Sequence, residues 1–134
     1  MAKDKNIQFV VVTPEKQVVE DTADAIVIPA HDGELGILSE RAPLMCELGI
    51  GQMRYERDGR THRVFIDGGF AQVHDNLVTL LTDNAAPAEA ITDEMIAGAE
   101  QAIADMTGST PEDIEARRKA KQRAGVLRQL KGGR

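Results

Sequence analysis

The sequence predicts a mainly β protein with α, an antiparallel β-sandwich of about ten strands followed by an antiparallel α-helical hairpin. Three observations predict it. Short runs rich in Val, Ile, Leu and Thr fill the first two-thirds of the chain, each ended by Gly, Pro, Asp or Asn. After Asn84 the apolar spacing changes to that of a helix face. Aromatic residues make up only 3% of the chain and Trp is absent, so the core must be built from Val, Ile, Leu, Met and Ala.

The elements follow in order. Ile7–Thr13 is β-branched and stops at Pro14-Glu15, and "KQVVED" after it completes a hairpin. "ADAIVIPA" alternates, with Ile26 and Ile28 on one face. Asp32-Gly33 is a turn dipeptide, and "ELGIL" follows it. "PLMCELG" and "GQMRYER" read as two strands separated by Gly49 and Gly51. "RDGR", Arg57–Arg60, is the strongest hairpin signal. "THRVFIDGG" and "FAQVHDN" read as two further strands around Gly68-Gly69, and "LVTLLTDN" ends the series.

"AAPAEA" then reads as a small-residue linker, which divides the chain into a sandwich over residues 1–86 and a helical hairpin over 87–134. Thr92 or Asp93 caps a helix running to about Met106, with Met95, Ala99, Ala102, Ile103 and Met106 on its apolar face. "TGST" breaks it. Thr110 caps a second helix with Pro111 at its first position and acids in its first turn. That helix runs to about Leu130 and ends at Gly132-Gly133, with a lean stripe of Ala116, Ala120, Ala124, Leu127 and Leu130. Gly98 and Gly125 lie inside the helices, at a cost of about 1 kcal/mol each against Ala. So thin a docking face predicts a hairpin that releases at modest cost.

The net charge of −6 is unevenly spread. Glu112–Arg134 holds eight Lys/Arg and three Asp/Glu, or +5, which leaves −11 for residues 1–111. An acidic body with a basic tail points to an acidic partner for the tail. A phosphate backbone would be repelled by the body, and a membrane surface would want larger residues than Ala116, Ala120 and Ala124 opposite the charges. "MAKDKNIQ" lacks the apolar stretch of a secretory signal, and no stretch is apolar enough to span a bilayer.

No catalytic constellation emerges. His31, Asp32 and Glu34 lack the further acids of a calcium loop and read as a solvated turn. His62 and His74 have no partner at metal-ligand spacing. Cys46, the only cysteine, sits in the apolar run "LMCEL" and reads as a small buried hydrophobe; it fits a reducing compartment. No nucleophile elbow or phosphate loop is present, and neither a metal nor a cofactor is expected. From the residues alone the chain is an interaction module.

"DGELGIL", "APLMCEL", "GIGQMR" and "FIDGGFAQVHDNLVTLLTDNA" together resemble the signature of the epsilon subunit of F-type ATP synthases, and the resemblance extends through the linker and both closing helices. It implies a non-catalytic rotor subunit of the central stalk at the cytoplasmic face of a bacterial inner membrane, associated with the membrane only through the complex. Its partners would be the gamma subunit, the c-ring and the alpha and beta subunits, not nucleic acid. Asp32, Gly33, Glu34 and Leu35 match the family's loop near the c-ring. Arg41, Ala42, Pro43 and Leu44 match its run near gamma, with Arg41 where His is common. Arg117, Arg118, Lys119, Lys121, Arg123 and Arg128 match the face that meets an acidic segment of beta when the hairpin extends to restrain ATP hydrolysis.

Some family members bind ATP through an Ile/Leu-Asp-x-x-Arg-Ala motif. Here the segment is Thr92-Asp93-Glu94-Met95-Ile96-Ala97, with Ile96 in place of the Arg. A charged hydrogen bond worth roughly 1.5–3 kcal/mol is thereby missing, and weak or no nucleotide binding is expected. Two readings from other classes stand beside this one: an adaptor whose basic tail binds nucleic acid, and a metal-dependent enzyme.

Overall fold

The computed structural model describes residues 6–132. Eight strands come first: β1 Ile7–Val12, β2 Gln17–Ala23, β3 Ala25–Ala30, β4 Gly33–Ile37, β5 Leu44–Arg57, β6 Arg60–His74, β7 Leu77–Leu81 and β8 Ala85–Pro87. A 3-10 turn at Ala88–Ala90 leads to helices α1 Asp93–Asp105 and α2 Pro111–Gly132. The mainly β architecture with a closing helical pair is the predicted one. Gly133, the last glycine of the expected helix stop, lies outside the described residues, as does most of "MAKDKNIQ".

The strand count differs from the expected ten or so for one physical reason. Gly49 and Gly51 do not end a strand, and neither do Gly68 and Gly69. They bend a long two-stranded ribbon, β5 with β6, whose pairing skips from Leu48↔Gly69 to Ile50↔Asp67 and then continues to the turn at Asp58-Gly59. Gly68 and Gly69 take φ of 72° and 107°, open to glycine at no steric cost. Asp58 and Gly59 both have positive φ, as the sharp hairpin turn read from "RDGR" requires. Asp75 and Asn76 do the same between β6 and β7.

The sheet order is β2-β1-β7-β6-β5-β3-β4, with β8 also on β6. All pairings are antiparallel except β1 with β7, which run parallel. The bent ribbon belongs to both layers, so the sandwich is one sheet folded over. Phe9 of β1 thus packs on Tyr55 of β5, three positions away in the order, with ring centroids 4.5 Å apart. Arg57 reaches Asp21 at 2.7 Å between the same two layers. Between the layers lies an aliphatic core of Ile7, Val11, Ile26, Ile28, Met53, Val64, Ile66, Val78 and Leu80 around Phe9.

"AAPAEA" is more ordered than a linker: Ala85–Pro87 pairs with Val64–Ile66 as β8, and the 3-10 turn follows. Thr92 caps α1 through its Oγ1, which accepts from the Met95 amide at 3.1 Å. Thr110 and Asp113 cap α2 reciprocally: Thr110 Oγ1 accepts from the Asp113 amide at 3.0 Å, and Asp113 Oδ2 accepts from the Thr110 amide at 3.2 Å.

The helices lie against each other and against the outer side of β5 and β6. Leu127, Leu130, Ile91, Ala86 and Phe65 form a second, smaller core there, with Ile96, Ala99 and Val126 beside it. The expected helix faces need small corrections. Met95 and Ala102 are exposed, while Ile96 turns inward with Ala99, Ile103 and Met106. On α2, Ala120, Ala124, Leu127 and Leu130 are buried as expected, but Ala116 is exposed.

Candidate functional site

Four surfaces carry the residues singled out from the sequence. The first is the turn between β3 and β4. Asp32, Gly33 and Glu34 are exposed, and Leu35 is half-buried against the main core. Glu34 is not free: its carboxylate accepts from both terminal nitrogens of Arg54, at 2.7 and 3.3 Å. Those hydrogen bonds hold the carboxyl below the ordinary value of 4.5 and raise Arg54 in return. His31, Asp32 and Glu34 do not converge, and among the described residues no three ligating side chains gather as a metal would need.

The second surface is the segment from Leu38 to Leu44. Arg41, Ala42 and Pro43 are exposed and Leu44 is half-buried. Glu40 adopts a φ of 68°, and its amide donates to Asn76 Oδ1 at 2.6 Å, which pins the segment to the β6–β7 turn. Leu38 is 66% exposed.

Further along the strands that this segment leads into, the outer face of the sheet carries apolar residues that the sequence did not single out. Phe70 and Leu81 stand directly opposite each other, both 55% exposed. Val12 lies beyond Leu81 in the adjacent strand, and Met45, 70% exposed, sits one row away. The signal was present. In "FAQVHDNLVTLL", Ala71, Val73, Val78 and Leu80 fill the inner face, so Phe70, Leu77 and Leu81 are left for the outer one. Apolar residues on both faces of a strand mark a face that is covered or meets a partner.

The third surface is α2. Its cations are mostly engaged within the chain. Arg117 donates to the Gly108 carbonyl at 2.8 Å, Arg118 forks onto Glu115 at 2.6 and 2.9 Å, and Arg128 meets Glu100 of α1 at 2.7 Å. Arg123 reaches Asp67 on β6, at 2.8 and 3.2 Å. Lys119 and Lys121 are exposed and make no ion pair among the described residues.

Asp67 was not anticipated as a site residue. It is one of two buried polar residues, with Thr82, among those described. Its amide donates to Thr82 Oγ1 and to the Asn84 carbonyl, both at 3.1 Å, and Asn84 Nδ2 donates to its carboxylate at 3.3 Å.

The fourth is the start of α1. Ile96, half-buried, packs against the second core, so the position carries an apolar side chain in place of a cation. Cys46 is half-buried against the main core. Burial pushes its thiol up, Asp32 adds in the same direction and Arg41 opposes, an environment contrary to that of a nucleophilic thiolate. Among the described residues no helix is long and apolar enough to cross a membrane.

The beta-sandwich domain of the ATP synthase delta/epsilon chain is the family model that matches, over residues 6–88. The ATP synthase epsilon chain of Rhodopirellula baltica is 40% identical over 124 residues, covering 92% of this chain and 97% of that one. The epsilon chain of Nitratidesulfovibrio vulgaris is 36% identical over 121 residues, covering 90% and 75%. Among solved structures, a chain of the Euglena gracilis mitochondrial ATP synthase (OSCP/F1/c-ring) superposes with a TM-score of 0.73 at 25% identity, covering 92% of this chain and 79% of that chain. A chain of the Tetrahymena thermophila mitochondrial ATP synthase central stalk and c-ring superposes at 0.67 with 15% identity, covering 92% and 95%, which is a likeness of fold.

Proposed function

Because the chain belongs to the ATP synthase epsilon-chain family, we propose that it is the non-catalytic central-stalk subunit that couples rotation of the c-ring to ATP synthesis, and that its hairpin restrains ATP hydrolysis. Residues 1–86 dock onto gamma and the c-ring, and residues 87–134 regulate. The subunit is held at the cytoplasmic face of a bacterial inner membrane by the complex and not by a span of its own.

The observation that carries the docking role is the apolar patch on the outer face of the sheet, with Met45, Phe70 and Leu81 exposed and Val12 half-buried, on strands that include β5, into which the Arg41–Leu44 segment leads. A rotor subunit must transmit torque through a fixed interface. A rigid sheet face of aromatic and aliphatic side chains suits that better than mobile loops. On this reading Arg41, Ala42, Pro43 and Leu44 form the edge of the gamma interface. Asp32, Gly33, Glu34 and Leu35 lie at the c-ring. Glu34 arrives there as half of an ion pair, so it presents a fixed polar group to the ring.

The regulatory role rests on α2. Lys119 and Lys121 are unpaired cations among the described residues. Arg117, Arg118, Arg123 and Arg128 are held by groups that an acidic surface of beta would have to replace. Assembly of the chain with gamma and the c-ring tests the first role. Deletion of Asp93–Arg134, with ATP hydrolysis measured in the assembled enzyme, tests the second. The truncated complex should assemble and hydrolyse faster; unchanged hydrolysis would remove the regulatory role and leave the docking role standing.

A further inference from the structure

The polar contacts of the hairpin fall into two groups. Arg118–Glu115, Arg128–Glu100, Lys131–Asp93 and Arg117 with the Gly108 carbonyl all join residues within the hairpin. They would survive if the two helices swung away from the sandwich as a pair. Among the described residues only two side-chain polar contacts cross to the sandwich: Gln122 Nε2 donates to the Ile50 carbonyl at 2.9 Å, and Arg123 forks onto Asp67.

The Asp67 end of that fork is built in advance. The side chain is 8% exposed, Asn84 already donates to one of its oxygens, and Thr82 and Asn84 fix its backbone. The glycine pair that follows lets the ribbon bend and leaves the carboxylate facing α2. A buried carboxylate needs a cation, and Arg123, 34% exposed, supplies it from the helix side. When α2 leaves, its cover leaves with it, so both charges regain water. The pair therefore favours docking without locking it.

We propose that Asp67 is an internal receptor for Arg123, and that docking of the hairpin competes with engagement of α2 by an acidic partner surface for that one guanidinium. This deepens the regulatory reading above and depends on it for the partner. The docking half stands on the contacts alone.

The test uses the full chain, spin-labelled at Arg60→Cys and Lys121→Cys in a Cys46→Ser background, with docked and released populations read from the distance distribution. Asp67→Asn keeps the shape and removes the charge. It should raise the released-to-docked ratio about ten-fold or more, as expected for loss of a charged, two-pronged hydrogen bond. Arg123→Gln, which leaves the sandwich untouched, should do the same. The double variant should be no worse than either single change. An unchanged ratio in either single variant, or additive effects in the double, overturns the receptor.

In the assembled enzyme, Asp67→Asn should lower residual ATP hydrolysis several-fold, and the effect should vanish when Asp93–Arg134 is deleted. If the deletion raises hydrolysis but Asp67→Asn leaves it unchanged, the competition is overturned. If the deletion itself changes nothing, the regulatory reading falls, and the distance populations still decide whether Asp67 holds the hairpin.

Discussion

The Glu34 carboxylate and the Arg54 guanidinium meet across β3, with contacts of 2.7 and 3.3 Å. The hydrogen bonds from Arg54 are the main cause of the lowered Glu34 pKa; slight burial opposes them and the positive charge adds to them. A carboxyl whose folded value lies below its unfolded one stabilises the fold above the unfolded value, and that contribution fades as pH falls through the folded value. In Arg54→Gln the Glu34 midpoint, followed by carboxyl carbon NMR, should rise toward 4.5. Stability at neutral pH should change by less than about 1 kcal/mol, because an exposed pair contributes little. A midpoint that stays low would mean that another group holds the anion.

Gly69 admits no side chain. A Cβ there would overlap the Leu81 carbonyl oxygen and come within 2.8 Å of the Thr82 Cα, and the residue's φ is 107°. Both obstacles are backbone, so neither can swing aside. Gly69→Ala should destabilise the fold by about 3 kcal/mol or more in chemical denaturation. Gly59 also has positive φ, but open space surrounds it, so Gly59→Ala bears only the conformational strain and should cost less. Equal losses at the two positions would show that φ, and not the close approach, sets the cost at Gly69.

Much of the fold was legible because local chemistry and tertiary structure agree. "RDGR" specified its turn, Thr92 and Thr110 specified both helix starts, and Leu127 and Leu130 specified the docking face of α2. The misses share a cause. A glycine pair within a strand reads locally as a break, yet Gly49, Gly51, Gly68 and Gly69 bend one ribbon, because pairing on both sides of the bend holds it together. Ile96 and Met95 are neighbours on one helix, and only the position of the sheet decides which turns inward. Asp67 carried no local sign of its partner 56 residues away. Long-range pairing leaves no mark in a short window of sequence.

The apolar patch should be an interface hot spot. Phe70 and Leu81 are each 55% exposed, so Phe70→Glu and Leu81→Glu should leave the melting temperature nearly unchanged. Each should weaken binding to gamma by about 2 kcal/mol or more, roughly thirty-fold, in calorimetry or surface-binding measurements. Thr79→Glu, in the adjacent row of the same face, should weaken it less. Full binding by both charge variants would place gamma elsewhere on the chain.

Nucleotide binding should be weak or absent, and restoring the motif residue should not create it. Ile96 packs, half-buried, against the second core, so an arginine introduced there would displace packing that holds α1 down. Ile96→Arg should loosen the hairpin, by about 1–3 kcal/mol for a polar group forced into an apolar site. ATP titrated into the natural chain should give no measurable heat at micromolar concentrations. A micromolar dissociation constant would mean that the phosphates are held by cations other than one at position 96.

The hairpin should open before the sandwich does. No residue of α1 is fully buried, and α2 contributes only Ala120, Ala124, Leu127 and Leu130 to its contact with the sheet. Two of those four are alanines, whose single methyl groups supply about 0.8 kcal/mol each, while the two leucines supply roughly two to three times that per side chain. Against this stand Gly98 and Gly125 inside the helices, each worth about 1 kcal/mol of lost helix propensity. The long β5–β6 ribbon is paired along nearly its whole length and closes both layers, so its amides exchange only when the sandwich unfolds. Hydrogen exchange should therefore show two classes, with α1 and α2 opening at a free energy several kcal/mol below that of β5 and β6. Leu127→Ala should lower the first class and leave the second in place. Protection that is uniform across both, and falls together in Leu127→Ala, would mean that hairpin and sandwich unfold as one unit and that no separate release of the helices exists to be regulated.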